Sequence, residues 1–287
     1  MTENSRLTRA VRRAENFLKE KGMCTFPINP FEIAEMLEIT VQAKPVDKPG
    51  VSGMLVRYGN DFGIFYATDI PNRGFQRFSV AHEIGHYMLD GHIDHLFSNG
   101  STHESRGGFV SYNSYEREAD HFAAGLLMPD PMFSNEISKH PDGMCAIKSL
   151  AKKCEVSLTA SAIRYAQKTV APIAVVVSEG KTIKYCFMSD ALKEYKGLDW
   201  PRKNTSLPIS VRTYEFNKDV ENILNRKEDA DTTNLVYWFG GNREVDATEE
   251  IIGLGSYGKT MTVISLKGFA DEEDEDRDIE ESWRVTL

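Results

Sequence analysis

The sequence predicts an α+β fold in three parts: a helix-and-small-sheet domain over residues 1–135, a helical segment over 136–170 and a small α+β domain over 171–287. Three observations predict it. The first part runs helix, helix, short strands, then two long amphipathic helices. Residues 145–168 carry a basic two-helix pattern. Beyond residue 170, β-branched apolar runs alternate with glycine turns.

The elements follow in order. Leu7, Ala10, Val11, Ala14, Phe17 and Leu18 recur at helical spacing and mark an amphipathic first helix. Asn29 before Pro30 makes an N-cap and first-turn pair for a short helix through Leu37. Strands are expected over Ile39 to Ala43, Val51 to Tyr58 and Phe62 to Ala67, the last two joined by Gly59-Asn60-Asp61. Ala119, Phe122, Ala123, Leu126 and Leu127 then mark a helix that Pro129 ends.

The chemistry concentrates on the two later helices. His82-Glu83-Ile84-Gly85-His86 puts two imidazoles four residues apart, on one face of a helix, where both can reach one metal ion. Glu83 is spaced to act as general base on a water at that metal. In the following helix Glu116 can complete a His2Glu ligand set, with Asp120 four residues on to accept a hydrogen bond from the distal nitrogen of a ligand histidine. Without a metal, His82 and His86 would be buried hydrogen-bonded histidines, which leaves Glu83 and Glu116 without a reason. In a purely structural site Glu83 would be passive, yet three protein ligands leave a fourth position open for water. Gly85 costs about 1 kcal/mol in a helix interior, so it predicts the close approach of another segment or of substrate. Zinc is favoured over manganese by intrinsic affinity for such a site, with Mn²⁺ the alternative metal.

The runs Arg77-Phe78-Ser79-Val80-Ala81-His82-Glu83-Ile84-Gly85-His86, Glu116-Arg117-Glu118-Ala119-Asp120 and Phe122-Ala123-Ala124-Gly125-Leu126-Leu127-Met128-Pro129 resemble the ImmA/IrrE metallopeptidases. That resemblance implies a minimal zincin-like domain, with His82, His86 and Glu116 as zinc ligands and Glu83 as general base. It also implies a narrow-specificity endopeptidase that cleaves a helix-turn-helix (XRE-type) transcriptional repressor to derepress genes, including under stress. Glu118 is the competing ligand, but it lies about 200° round the helix from Glu116, so one of the two faces the metal. Among the remaining histidines (His92, His95, His103, His121 and His140), expected at the surface or behind the ligands, His103 is the candidate to reach the cleft as a donor to the developing oxyanion. The alternative function is a non-catalytic regulator that binds a repressor or DNA, which should tolerate Glu83→Gln.

Residues 145–168 have a helix-turn-helix look, with five basic residues against Glu155 between Lys148 and Lys168. Glu155 stands where the turn usually has glycine, so a structural pair or repressor-docking surface is favoured over direct DNA contact. Pro172 to Ser178 and Lys181 to Ser189 predict a hairpin through Glu179-Gly180. Leu235 to Phe239 and Thr260 to Leu266 are expected as strands, and Gly240 to Asn242 and Gly253 to Gly258 as loops. Gly253-x-Gly255-x-x-Gly258 fits a dinucleotide fingerprint only in letters, because Met261 to Leu266 reads as strand where a helix should follow. This C-terminal part is expected to sense a signal.

The net charge of −9 sits mostly in residues 271–281, nine acidic residues against Arg277, so overall acidity says little about nucleic-acid binding. That stretch is expected as a solvated run. No apolar run reaches the ~20 residues of a membrane span, and the polar N-terminus lacks a signal peptide's apolar core. Cys24, Cys145, Cys154 and Cys186 are scattered and read as free thiols of a cytoplasmic protein.

Overall fold

The computed structural model describes residues 3–44, 50–98, 100–106, 113–199, 201, 203–242 and 244–266; the acidic stretch 271–281 lies outside them. The architecture is mixed α and β, in two compact units. Residues 1–139 with 148–164 form one, and 140–147 with 165–287 the other. Among the described residues no helix is long and apolar enough to cross a membrane.

The first unit opens with α1 (Glu3–Glu20) and α2 (Pro30–Met36). Asn29 caps α2 by accepting from the Phe31 amide, as its place before Pro30 predicts. A four-stranded sheet follows, built from β1 (Thr40–Ala43), β2 (Val51–Tyr58), β3 (Asp61–Tyr66) and β4 (Thr102–Arg106) in the order β1-β3-β2-β4. β1 runs parallel to β3 and the other pairs are antiparallel. The remaining elements are α3 (Arg73–Met88), α4 (His92–Leu96), α5 (Ser114–Leu127) and α6 (Asp130–Ile137). Two further helices follow, α7 (Met144–Cys154) and α8 (Leu158–Lys168), of which residues 148–164 belong to this unit.

Helix α3 is central to this unit, packed on β2, β3, α2 and α5. Leu55, Ile64, Val80, Ala81, Ile84, Phe122 and Leu126 are fully buried around it. Two glycines set its distances. A Cβ on Gly85 would lie 3.1 Å from the Phe122 ring and 3.3 Å from the Ala119 Cα, so Gly85 admits α5. A Cβ on Gly74 would lie 2.4 Å from the Ser157 amide nitrogen, so the start of α3 rests on the turn between α7 and α8.

That turn explains Glu155. It takes φ +52°, the left-handed position that usually favours glycine, while the Val156 amide closes the helix end on the Ala151 carbonyl. Its carboxylate lies 3.2 Å from buried Arg77 and 3.3 Å from Arg73, both on α3. Arg77 also donates to the Ile28 carbonyl. A side chain that glycine lacks therefore ties the helix pair to α3.

The second unit is a five-stranded antiparallel sheet in the order β6-β5-β9-β8-β7. Its strands are β5 (Ile173–Glu179), β6 (Thr182–Met188), β7 (Glu228–Asn234), β8 (Asp246–Gly253) and β9 (Thr260–Leu266), with α9 (Asp190–Lys193), α10 (Arg212–Phe216), α11 (Val220–Leu224) and α12 (Leu235–Phe239) between them. The expected hairpin is β5 with β6. One expectation is overturned: Leu235 to Phe239 is helix, not strand. Asn234 caps it by accepting from the Val236 amide, and Leu235, Trp238 and Phe239 bury at helical spacing. Five apolar residues in a row carry no period by which to tell the two apart.

Gly74→Ala tests the packing of α3 on the turn. Helix propensity alone predicts stabilisation of up to about 1 kcal/mol. The steric conflict with backbone predicts the opposite, a loss of about 1–3 kcal/mol in urea or thermal unfolding.

Candidate metal centre

Helices α3 and α5 bring the predicted groups together. Asn72 caps α3 through the Phe75 amide and Asn113 caps α5 through the Tyr115 amide, which starts Glu116 in the first turn of α5. His82 Nε2 and His86 Nε2 lie 3.0 Å apart. Glu116 Oε2 is 3.3 Å from the first and Glu116 Oε1 3.2 Å from the second. Asp120 Oδ1 lies 2.9 Å from His82 Nδ1, on the far side of that ring. Glu118 points elsewhere, to Arg6 at 2.6 Å.

Glu83 is fully buried, and neither of its oxygens has a hydrogen-bond partner among the described residues. Burial drives its pKa up, against the pull of His82 and His103 and of the Ser105 hydroxyl, which lies near the carboxylate without reaching good hydrogen-bond geometry. It seats against bare backbone: a Cβ on Gly53 of β2 would stand 2.5 Å from Glu83 Oε1.

His103 comes from β4, paired with β2 through Leu55, and its Nε2 lies 3.1 Å from Glu116 Oε1 and 3.2 Å from the Ser105 hydroxyl. Thr102-His103-Glu104-Ser105-Arg106 has no apolar alternation, so nothing in the local sequence signals this strand. Of the two places expected for His92, at the surface or behind the ligands, it takes the second: it is fully buried, its Nδ1 3.0 Å from His86 Nδ1. Gly91, at φ +77°, is the local signal for the turn that folds it back under α3.

The residues fit a divalent cation. Tetrahedral ligands at about 2.0–2.1 Å from zinc stand roughly 3.3 Å from one another. The three nearest donor atoms here match that spacing, and Glu83, His86 and His103 form a second, overlapping group. Charge points the same way. Burial opposes a charged His82, yet its hydrogen bonds to Asp120 and Glu116 outweigh that and hold it at about 10. Burial also works against a charged Glu116, but hydrogen bonds from His103, His82 and His86 hold its carboxyl far below the usual range. His86, by contrast, is pushed down to about 3 by burial and is neutral. Three carboxylates lie about the rings, and a cation bound among them would take the place of the His82 proton and its charge.

Fold and site together define a mixed α+β protein with a buried two-histidine, one-glutamate centre on two helices. Residues 34–165 match the family described as the IrrE N-terminal-like domain. Over those residues the chain is similar to that family. Two curated relatives, each named radiation response metalloprotease IrrE, come from Deinococcus radiodurans and Deinococcus deserti. They are 31% and 30% identical over 102 residues, which is 36% of this chain and 30% and 35% of theirs. The chain thus spans about a third of the length of the curated relatives it matches. A solved structure, a Mycobacterium tuberculosis transcriptional regulator, shares the fold at a TM-score of 0.56 and 15% identity, covering 90% of this chain and 76% of that one.

Titrating the metal-free protein with zinc should show one equivalent bound. Glu116→Ala and His86→Ala should abolish it, and Asp120→Ala should weaken it by about 10–100-fold through loss of the acceptor behind His82. Competition with a chromophoric chelator measures all three.

Proposed function

We propose that this protein is a zinc-dependent endopeptidase of narrow specificity whose substrate is a helix-turn-helix transcriptional repressor of the XRE type. The observation that carries the reading is Glu83: a fully buried carboxylate whose oxygens accept no hydrogen bond of ordinary geometry, beside three groups of metal-ligand chemistry. A structural site gives such a group no reason to bear the cost of desolvation. Three ligands on two helices also leave a coordination position free for reaction.

Each residue has a role. His82, His86 and Glu116 hold the ion, and Asp120 fixes the His82 tautomer. Bound zinc supplies a Lewis acid and an acidified water. Glu83, its basicity raised by burial, takes the proton of the attacking water and passes it to the leaving amine. His103, on β4 beside Glu116, donates to the carbonyl oxygen as charge develops there.

In this reading residues 1–135 are a zincin-like peptidase domain, 136–170 a supporting helix pair and 171–287 a signal-sensing domain of a cytoplasmic protein. The helix pair favours support over DNA reading. In α8 only Gln167 is exposed, and Arg164 is buried against the Met128 carbonyl and Glu15. Cys24, Cys145, Cys154 and Cys186 are all free, which suits a reducing compartment.

Intact-mass spectrometry of the repressor encoded nearest this gene, incubated with zinc-loaded protein, tests the reading. One discrete cut by wild type and none by Glu83→Gln supports it. A repressor bound but uncut by both points to the non-catalytic regulatory alternative, and one neither cut nor bound is not the substrate. Gly53→Ala is expected to lower cleavage by about 10²-fold or more, as a misplaced general base does, while zinc is retained.

A further inference from the structure

Behind His86, on the side away from Glu116, runs a line of buried polar groups that the proposed reaction does not use. His86 Nδ1 faces His92 Nδ1 at 3.0 Å. His92 Nε2 faces Glu118 Oε2 at 3.7 Å, and Glu118 Oε1 meets Arg6 of α1 at 2.6 Å. His92 is fully buried and Glu118 4% exposed. The Tyr115 ring stands edge-on to His92, with centroids 4.9 Å apart, and the Arg6 guanidinium covers the same tyrosine at 5.4 Å. Arg6 thus holds both the carboxylate and the ring that confine His92. It lies outside the segment that matches the family domain.

Hydrogen counting gives this line a direction. A metal ion needs the lone pair of His86 Nε2, so the ring's proton sits on Nδ1. Only one of two facing Nδ1 atoms can carry the proton between them. His92 Nδ1 is therefore the acceptor, and the His92 proton sits on Nε2, turned toward Glu118. His82 and His86 are then held by acceptors of different kinds, a partly exposed carboxylate for one and a buried imidazole nitrogen for the other.

We propose that His92 is the positioning residue for the metal ligand His86, and that Glu118 and Arg6 hold it in the one tautomer that can do so, making metal affinity depend on helix α1. The proposal rests on the reading of His82, His86 and Glu116 as zinc ligands.

The test is zinc affinity of the full chain, measured by chelator competition alongside thermal unfolding of the metal-free protein. His92→Phe keeps a ring beside Tyr115 but has no acceptor, and is expected to weaken zinc by about 10–100-fold. His92→Asn returns an acceptor oxygen and should recover part of that loss. Glu118→Gln and Arg6→Gln should each weaken zinc several-fold without contacting the ion. In the zinc-loaded wild type, NMR should show a slowly exchanging His86 Nδ1 proton that is lost in His92→Phe; a merely structural role would not move that signal. Folded His92→Phe binding zinc as wild type does overturns the proposal. If that variant does not fold, Glu118→Gln with unchanged affinity overturns it instead. A wild type that binds no zinc overturns the ligand reading and this proposal together, whereas zinc-binding wild type with indifferent variants overturns this proposal alone.

Discussion

The close approach of α3 and α5 is the constraint on which the rest of the centre depends. Glu116 reaches the two Nε2 atoms only because α5 lies against α3 where Gly85 presents no side chain. A Cβ there would stand 3.1 Å from the Phe122 ring and 3.3 Å from the Ala119 Cα, tight contacts that fall on a packed ring and on backbone rather than on a flexible tip. The glycine's cost in helix propensity is thus offset by tertiary geometry, and that geometry assembles groups from two helices within hydrogen-bonding distance of one another.

A second theme is where charge is buried and how it is met. Arg77 sits in the core with the Ile28 carbonyl and Glu155 as partners, and Arg164 with the Met128 carbonyl and Glu15. In the second unit Glu249 is fully buried, but its carboxylate accepts from the Thr213 amide and hydroxyl at 2.6 Å each. Each of these ions has at least one polar partner facing it. Glu83 differs: it is as deeply buried, yet neither of its oxygens accepts a hydrogen bond of ordinary geometry. A buried unpartnered carboxylate persists only where something other than stability maintains it, so this contrast within one chain separates the chemical site from the scaffold.

Much of the fold was legible wherever burial and periodicity agree. The first helix, the Asn29 cap, the strand Val51 to Tyr58 and the hairpin after residue 172 have apolar sets whose spacing matches their elements. Legibility failed where they part. β7 is an edge strand of polar residues, Glu228 to Asn234, with little to bury. β8 does alternate, but one inward position is Glu249, so its pattern is broken by a carboxylate that Thr213 satisfies from far along the chain. β4 carries His103 on a short polar edge strand whose only announcement is its pairing with β2. Edge pairing and long-range hydrogen bonds leave no periodic trace in local sequence.

What the sequence determined by itself was whatever a single helix encodes: His82 and His86 on one face, Glu83 beside them, and Glu116 and Asp120 a turn apart. Helical geometry alone dictates those relations, so local order suffices to read them. Only the tertiary structure decided that Glu116 rather than Glu118 turns to the histidines, that Gly53 seats the Glu83 carboxylate and that His92 stands behind His86. Each of these depends on the distance between elements far apart in the chain, and on the desolvation that their packing imposes. Neither distance nor dielectric is written in residue spacing, because both arise when separate surfaces close on one another.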